Sequence, residues 1–145
     1  MPAVYEKMGI HFLYPDNWTL DEQEALEGNR SVSVYSPGGA FWSIVLHATT
    51  TDPDELAAAA LETLRAEYDD AESEKVSEQI AGQPISGFDV HFYYLDLTNT
   101  ALIRGFRTAT DSCLVLCQAE DRELERVAMV FRAITTSLLA DQQPS

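Results

Sequence analysis

Apolar residues recur along this chain in two rhythms. Over Leu56, Ala60, Leu61, Leu64 and Tyr68 they return at helical spacing, with Glu62, Arg65 and Glu67 on the opposite side. Asp52-Pro53-Asp54-Glu55 supplies the start: a capping side chain, a proline at the first helical position and an acid in the capping-box position. A second stripe, Leu124, Val127, Ala128, Phe131, Ile134 and Leu138, predicts a helix from near Glu120-Asp121 to about Leu139. Elsewhere the rhythm is that of strands, expected at Ile10–Tyr14, Trp18–Asp21, Ser31–Ser36, Phe41–Ala48, Glu74–Ile80, Gly87–Leu97, Ala101–Thr108 and Cys113–Ala119. Pro37-Gly38-Gly39, Gly82-Gln83-Pro84, Thr98-Asn99 and Thr110-Asp111 are the turn signals between them. Successive strands on tight turns, with helices interspersed, predict an antiparallel sheet flanked by helices, an α+β fold.

The 145 residues suit one domain over positions 1–140, followed by a frayed tail at 141–145. Composition narrows the partners. With 24 acidic against 9 basic residues the net charge is −15, and the cations are scattered. Nucleic-acid binding needs clustered cations that displace counterions from phosphate, so it is not expected. An anionic membrane surface would repel the chain for the same reason. No basic region leads into an apolar run at the N-terminus, and no apolar stretch is long enough to span a bilayer. A cytoplasmic setting is expected.

Cys113 and Cys117 fit that setting. On one strand they stand about 13 Å apart, too far for a disulfide or a shared zinc ion. Two free thiols are those of a reducing compartment. His11 and His47 have no acid or cysteine at ligand spacing, so neither a metal nor another cofactor is expected.

Gly9-Ile10-His11-Phe12-Leu13-Tyr14-Pro15-Asp16-Asn17-Trp18 reads as a strand, a Tyr-Pro stop, a short gap and a tryptophan opening the next strand. This segment, with the order of elements after it, resembles the Mog1/PsbP-like family. The resemblance implies a central antiparallel sheet with helices on its faces, and a binding or assembly role in place of catalysis. Members of that family include a Ran-binding transport factor, photosystem II accessory proteins and bacterial chaperone-like proteins. In the first of these, acidic surface contributes to partner contact.

Three sets of residues are candidates for function. Asp21, Glu22, Glu24 and Glu27 form an acidic run after the motif, a rim suited to a basic protein partner, or simply a solvated surface. Trp42 lies in a nearly continuous apolar strand, Phe41–Leu46, which predicts cover on both faces, a helix on one and something else on the other; if that cover is absent, the bare face would take a partner, a ligand or a second copy of the chain. The third set rests on register. If Thr98-Asn99 and Thr110-Asp111 are two-residue loops, Tyr93 faces Arg104 and Arg104 faces Cys117. His91, Tyr93, Arg104 and Cys117 would then share one face and could line a pocket under the terminal helix. Arg104 could also activate the Cys117 thiol with His91 as proton carrier. The plainer reading makes Cys117 a small packed residue, with Arg104 laying its stem across the sheet. The reading that follows is a non-catalytic protein-binding module, with a small-molecule pocket as the alternative and a Cys117 enzyme last.

Overall fold

A computed structural model describes residues 2–141, and positions 142–145 of the expected tail lie outside the described residues. Elements follow one another as β1 (Pro2–Lys7), β2 (Ile10–Pro15), β3 (Thr19–Asp21), α1 (Gln23–Leu26), β4 (Ser31–Tyr35), β5 (Phe41–His47), α2 (Pro53–Glu67), β6 (Glu72–Ile80), β7 (Gln83–Tyr94), β8 (Leu97–Arg107), β9 (Ser112–Glu120) and α3 (Asp121–Asp141). Asp141, expected to open the tail, instead closes α3.

Seven strands form one antiparallel sheet in the order β3-β4-β5-β9-β8-β7-β6, and β1 and β2 make a separate hairpin. The hairpin lies with α3 on one face of the sheet. There Phe12 stacks on Tyr5 at 5.1 Å and meets Trp42 at 4.8 Å, while Phe131 sets its ring edge-on to Trp18. The Leu13 amide donates to Ser137 Oγ of α3, which fastens the free side of β2 to the helix. Val32, Val34, Ile44, Val115, Ile134 and Leu138 complete this larger core.

On the other face α2 packs alone, over β7, β8 and β9. Ala57, Leu61 and Leu64 meet Val90, Phe92, Ala101 and Ile103 there, flanked by Phe88, Leu114 and Leu116. Asp52 caps α2 as its sequence requires, accepting from the Asp54 amide, and Pro53 occupies the first turn. Gly105 lets the helix sit close: a Cβ on it would lie 2.6 Å from the Pro53 carbonyl oxygen.

Three hairpins use two-residue turns whose central residues both have positive φ: Met8-Gly9, Ala81-Gly82 and Leu95-Asp96. The first joins β1, a strand the sequence reading did not anticipate, to β2. The third replaces the expected Thr98-Asn99 loop, so Tyr93 pairs with Thr98, and Arg104 pairs with Gly87. Arg107 pairs with Ser112 where Ala109 was expected to, which sets Cys117 opposite Leu102. Both shifts are even, so every side chain keeps its predicted face while its neighbours change.

Candidate functional site

Because the faces hold, His91, Tyr93, Arg104 and Cys117 do project from the same side of the sheet. The shifted register nevertheless divides them between two places. Arg104 and Cys117 border a hollow of about 190 Å³ between β6, β8, β9 and α3, together with Glu78, Leu102, Phe131 and Arg132. His91 and Tyr93 border a different hollow near the tip of the β7–β8 hairpin.

In the first hollow the charges balance. Arg104 Nε donates to Glu78 Oε2 at 2.7 Å and Nη2 lies 2.8 Å from Asp89 Oδ1, while Arg132 Nη1 donates to Glu78 Oε1 at 2.6 Å. Remaining donors of Arg104 reach the carbonyls of Phe88 and Ile103. Burial pushes the Glu78 carboxyl up, but hydrogen bonds and charge from the two arginines outweigh it and hold the group below its ordinary value. Two cations against two carboxylates leave no surplus charge for a ligand. The volume also falls short of the about 300–1,000 Å³ of small-molecule sites.

The thiols are placed for packing. Burial drives Cys117 far above its usual pKa, against a weaker lowering by Arg104. Cys113 is raised to about 12, by burial first and by the charge of Asp111 second. A thiol held protonated is neither a nucleophile nor a soft metal ligand. Among the described residues, no three His, Cys, Asp or Glu side chains are grouped to hold a metal ion.

At the hairpin tip, Glu74, His91, Thr100 and Asp121 form a chain. His91 Nε2 lies 3.6 Å from Glu74 Oε1, its Nδ1 is 3.1 Å from Thr100 Oγ1, and Thr100 donates to Asp121 at 2.8 Å. The carboxylate-imidazole-hydroxyl sequence has the look of a nucleophile and its base. Its polarity is wrong: the Thr100 proton points to Asp121, so Nδ1 must be the donor to Thr100. Thr100 is also 3 % exposed, out of reach of a substrate. The Thr100–Asp121 hydrogen bond ties the start of α3 to the sheet.

The acidic run surrounds the short α1 and is engaged locally. Asp21 accepts from the Gln23 amide, Glu22 pairs with Lys7 at 3.0 Å, Glu24 accepts from Asn29 and Glu27 from Gln23. Trp42 requires a correction as a contact residue. It is fully buried between Phe12 and α3, with Nε1 donating to Thr135 Oγ1 at 2.9 Å. Its cover is the β1–β2 hairpin, which could not be anticipated while β1 went unrecognised.

The opposite face of the same strand is the open one. α2 does not extend over β5, β4 and β3, so Tyr35 is exposed and Phe41, Ser43, Val45, Ser33 and Ser31 are only half-buried. Tyr35 and Phe41 pack ring to ring at 5.6 Å, and Asp21 stands opposite Ser33 at the sheet's edge. The strand Phe41-Trp42-Ser43-Ile44-Val45-Leu46 departs from apolar only at Ser43, so its pattern does not mark which face stays open. A further shallow groove of about 570 Å³ runs between β2 and α3, lined by Leu13, Tyr14, Pro15, Met129 and Ile134 among others. Among the described residues, no helix is long and apolar enough to cross a membrane.

No family model matches the chain, and no curated protein matches its sequence. Solved structures do. A Pseudomonas aeruginosa protein of unknown function superposes with a TM-score of 0.58 at 12% identity over 99% of both chains. The cyanobacterial PsbP of Synechocystis sp. PCC 6803 gives 0.63 at 12% identity over 94% of this chain and 90% of its own. The Ran-binding protein Mog1p of Saccharomyces cerevisiae gives 0.56 at 12% identity over 98% and 92%. The chain therefore has the Mog1/PsbP-like fold that the Gly9–Trp18 segment resembles.

Proposed function

We propose that this chain is a non-catalytic protein-binding module of the cytoplasm, which presents the open β3–β4–β5 half of its sheet to a partner. The observation that carries this reading is the short reach of α2. It leaves a half-buried strip headed by Phe41 and the exposed Tyr35, beside the acidic turn of α1. An exposed tyrosine braced on a half-buried phenylalanine of a rigid sheet provides area at low entropic cost. The neighbouring carboxylates favour a basic segment and repel an acidic one. The balanced hollow beneath α3 and the protonated thiols supply no competing chemistry. That one fold neighbour is a Ran-binding protein agrees with a protein partner without identifying it. Buried, unpaired cysteines agree with a reducing compartment.

The test is capture of partners by photo-crosslinking, with the reactive group placed at Ser33 or, as a control, at the exposed Glu62 of α2. A partner joined at Ser33, lost in a Tyr35→Ser/Phe41→Ser variant of unchanged stability and weakened by salt, supports the reading. Equal capture from both positions, or retention by the double variant, refutes it. Light scattering addresses a second copy as occupant, which the net charge of −15 on each chain opposes.

A further inference from the structure

The β7–β8 hairpin ends in a cluster of large apolar side chains held in water. Tyr93, Tyr94, Leu95 and Leu97 are 61%, 52%, 78% and 43% exposed. Tyr94 is backed by Tyr68, whose ring meets it edge-on at 6.2 Å and itself stacks on Phe92 at 4.2 Å. Tyr94 and its partner Leu97 thus stand on the α2 face with that support, Tyr93 on the α3 face, and Leu95 at the apex between them. Solvated apolar clusters of this kind mark interaction surfaces.

The turn adds a second, independent observation. Leu95 has φ +52° and Asp96 +63°. Such turns favour Asn and Gly, and the other two hairpins of this kind both place glycine second. A leucine here is in a backbone region that is sterically costly for an L-residue, and at 78% exposure it gains little packing in return. A sequence that obeys the local rule twice and breaks it at its most exposed apolar tip points to a use for the side chain.

Charge identifies the occupant. Beside Tyr93 lies a hollow of about 270 Å³ whose acidic lining is Asp70, Glu72 and Asp121. The one lining group that can carry positive charge, His91, is hydrogen-bonded to Thr100 and has the Glu74 carboxylate 3.6 Å away. Arg65 on neighbouring α2 is held by Glu62 and Ser73, and Arg122 by Glu120. A cationic side chain entering the hollow meets carboxylates and Tyr93 on the α3 face, while an apolar neighbour passes over the apex of the turn onto Leu95.

We infer that the β7–β8 tip is a second docking surface, for a protein segment in which Arg or Lys stands beside large apolar residues. It is independent of the open sheet half, since it uses other strands and none of Tyr35, Phe41 or the α1 acids.

The experiment is selection from a random peptide phage library on the whole chain, followed by fluorescence anisotropy with one selected peptide. Expected are peptides enriched in Arg or Lys next to Leu, Phe or Trp. Their affinity should fall about tenfold or more in Tyr93→Ala and in Leu95→Asn, and fall with rising salt. Leu95→Asn relieves the turn, so its loss of binding cannot come from unfolding. Tyr35→Ser should leave affinity unchanged. Selection of uncharged or acidic peptides, no selection above background, or binding lost in Tyr35→Ser but kept in both tip variants overturns the proposal. The sheet-face reading survives any of these results, because its own test reads a crosslink at Ser33.

Discussion

Replacing Leu95 with asparagine should make this protein more stable, although it removes a large apolar side chain. Leu95 occupies the first central position of a two-residue turn at φ +52° and is 78% exposed. Asparagine tolerates that conformation through local hydrogen bonding of its side chain, whereas leucine bears the full steric cost. Truncation gives up little buried area, so the steric relief of about 1 kcal/mol is not offset by lost packing. Changing Asp96 to glycine as well should add less than Leu95→Asn, because Asp already tolerates φ > 0 and Gly enlarges the unfolded ensemble. With a urea m-value of about 2 kcal/mol/M for a domain of this size, Leu95→Asn should raise the midpoint by about 0.5 M at constant m. Equilibrium urea unfolding followed by tryptophan fluorescence reads this directly, since Trp18 and Trp42 both sit in the larger core. A midpoint that is unchanged or lower, with the same m-value, refutes the claim that the turn is strained. The tip would then lose its strongest argument for a functional leucine.

Three further outcomes follow from the same geometry. The Glu78 carboxyl, raised by burial but lowered further by Arg104 and Arg132, has a folded pKa below its ordinary 4.5. Its contribution to stability is therefore complete above that value and is lost as pH falls through the folded pKa, so Glu78→Gln should flatten the stability profile below about pH 4.5 in urea titrations at stepped pH. Cys113 and Cys117 should resist a thiol reagent at neutral pH and react together on addition of guanidinium; prompt labelling of either in the native protein would contradict their burial. Gly105→Ala should destabilise by about 1–3 kcal/mol, because a Cβ there would lie 2.6 Å from the Pro53 carbonyl and push α2 off the sheet. A thermal shift near zero for that variant would show that the helix moves freely.

Several features of the fold were legible because one local rule decided them. Asp52-Pro53 placed the start of α2, and the apolar stripe from Leu124 to Leu138 identified α3. The faces of β7, β8 and β9 followed from parity alone, which survives an even slip of register. The slip itself was not legible. Leu95-Asp96 breaks the residue preference of its turn type, so the nearest asparagine, Asn99, drew the predicted loop to the wrong place. Everything that depended on the pairing, above all the gathering of His91 with Arg104, moved with it. β1 was missed because Pro2–Lys7 alternates weakly, with only Tyr5 buried. Without it the cover of Trp42 had no source. Of the candidate surfaces, the acidic run of α1 was readable from composition. The exposed strip of β4 and β5 needed to be known as the side that α2 fails to reach, a matter of tertiary placement that no local pattern encodes.

The clasp between the β1–β2 hairpin and α3 has a consequence for how the chain matures. Phe12 and Trp42 are synthesised early, yet the part of their cover that comes from Phe131, Ile134 and Leu138 of α3 lies 89 or more positions later. During translation these aromatic rings must wait partly unshielded, because so distant a closure has to meet its entropic cost before any contact rewards it. A nascent chain stalled anywhere ahead of α3 would carry a greasy, unsealed flank, a natural target for holding chaperones and for proteolysis.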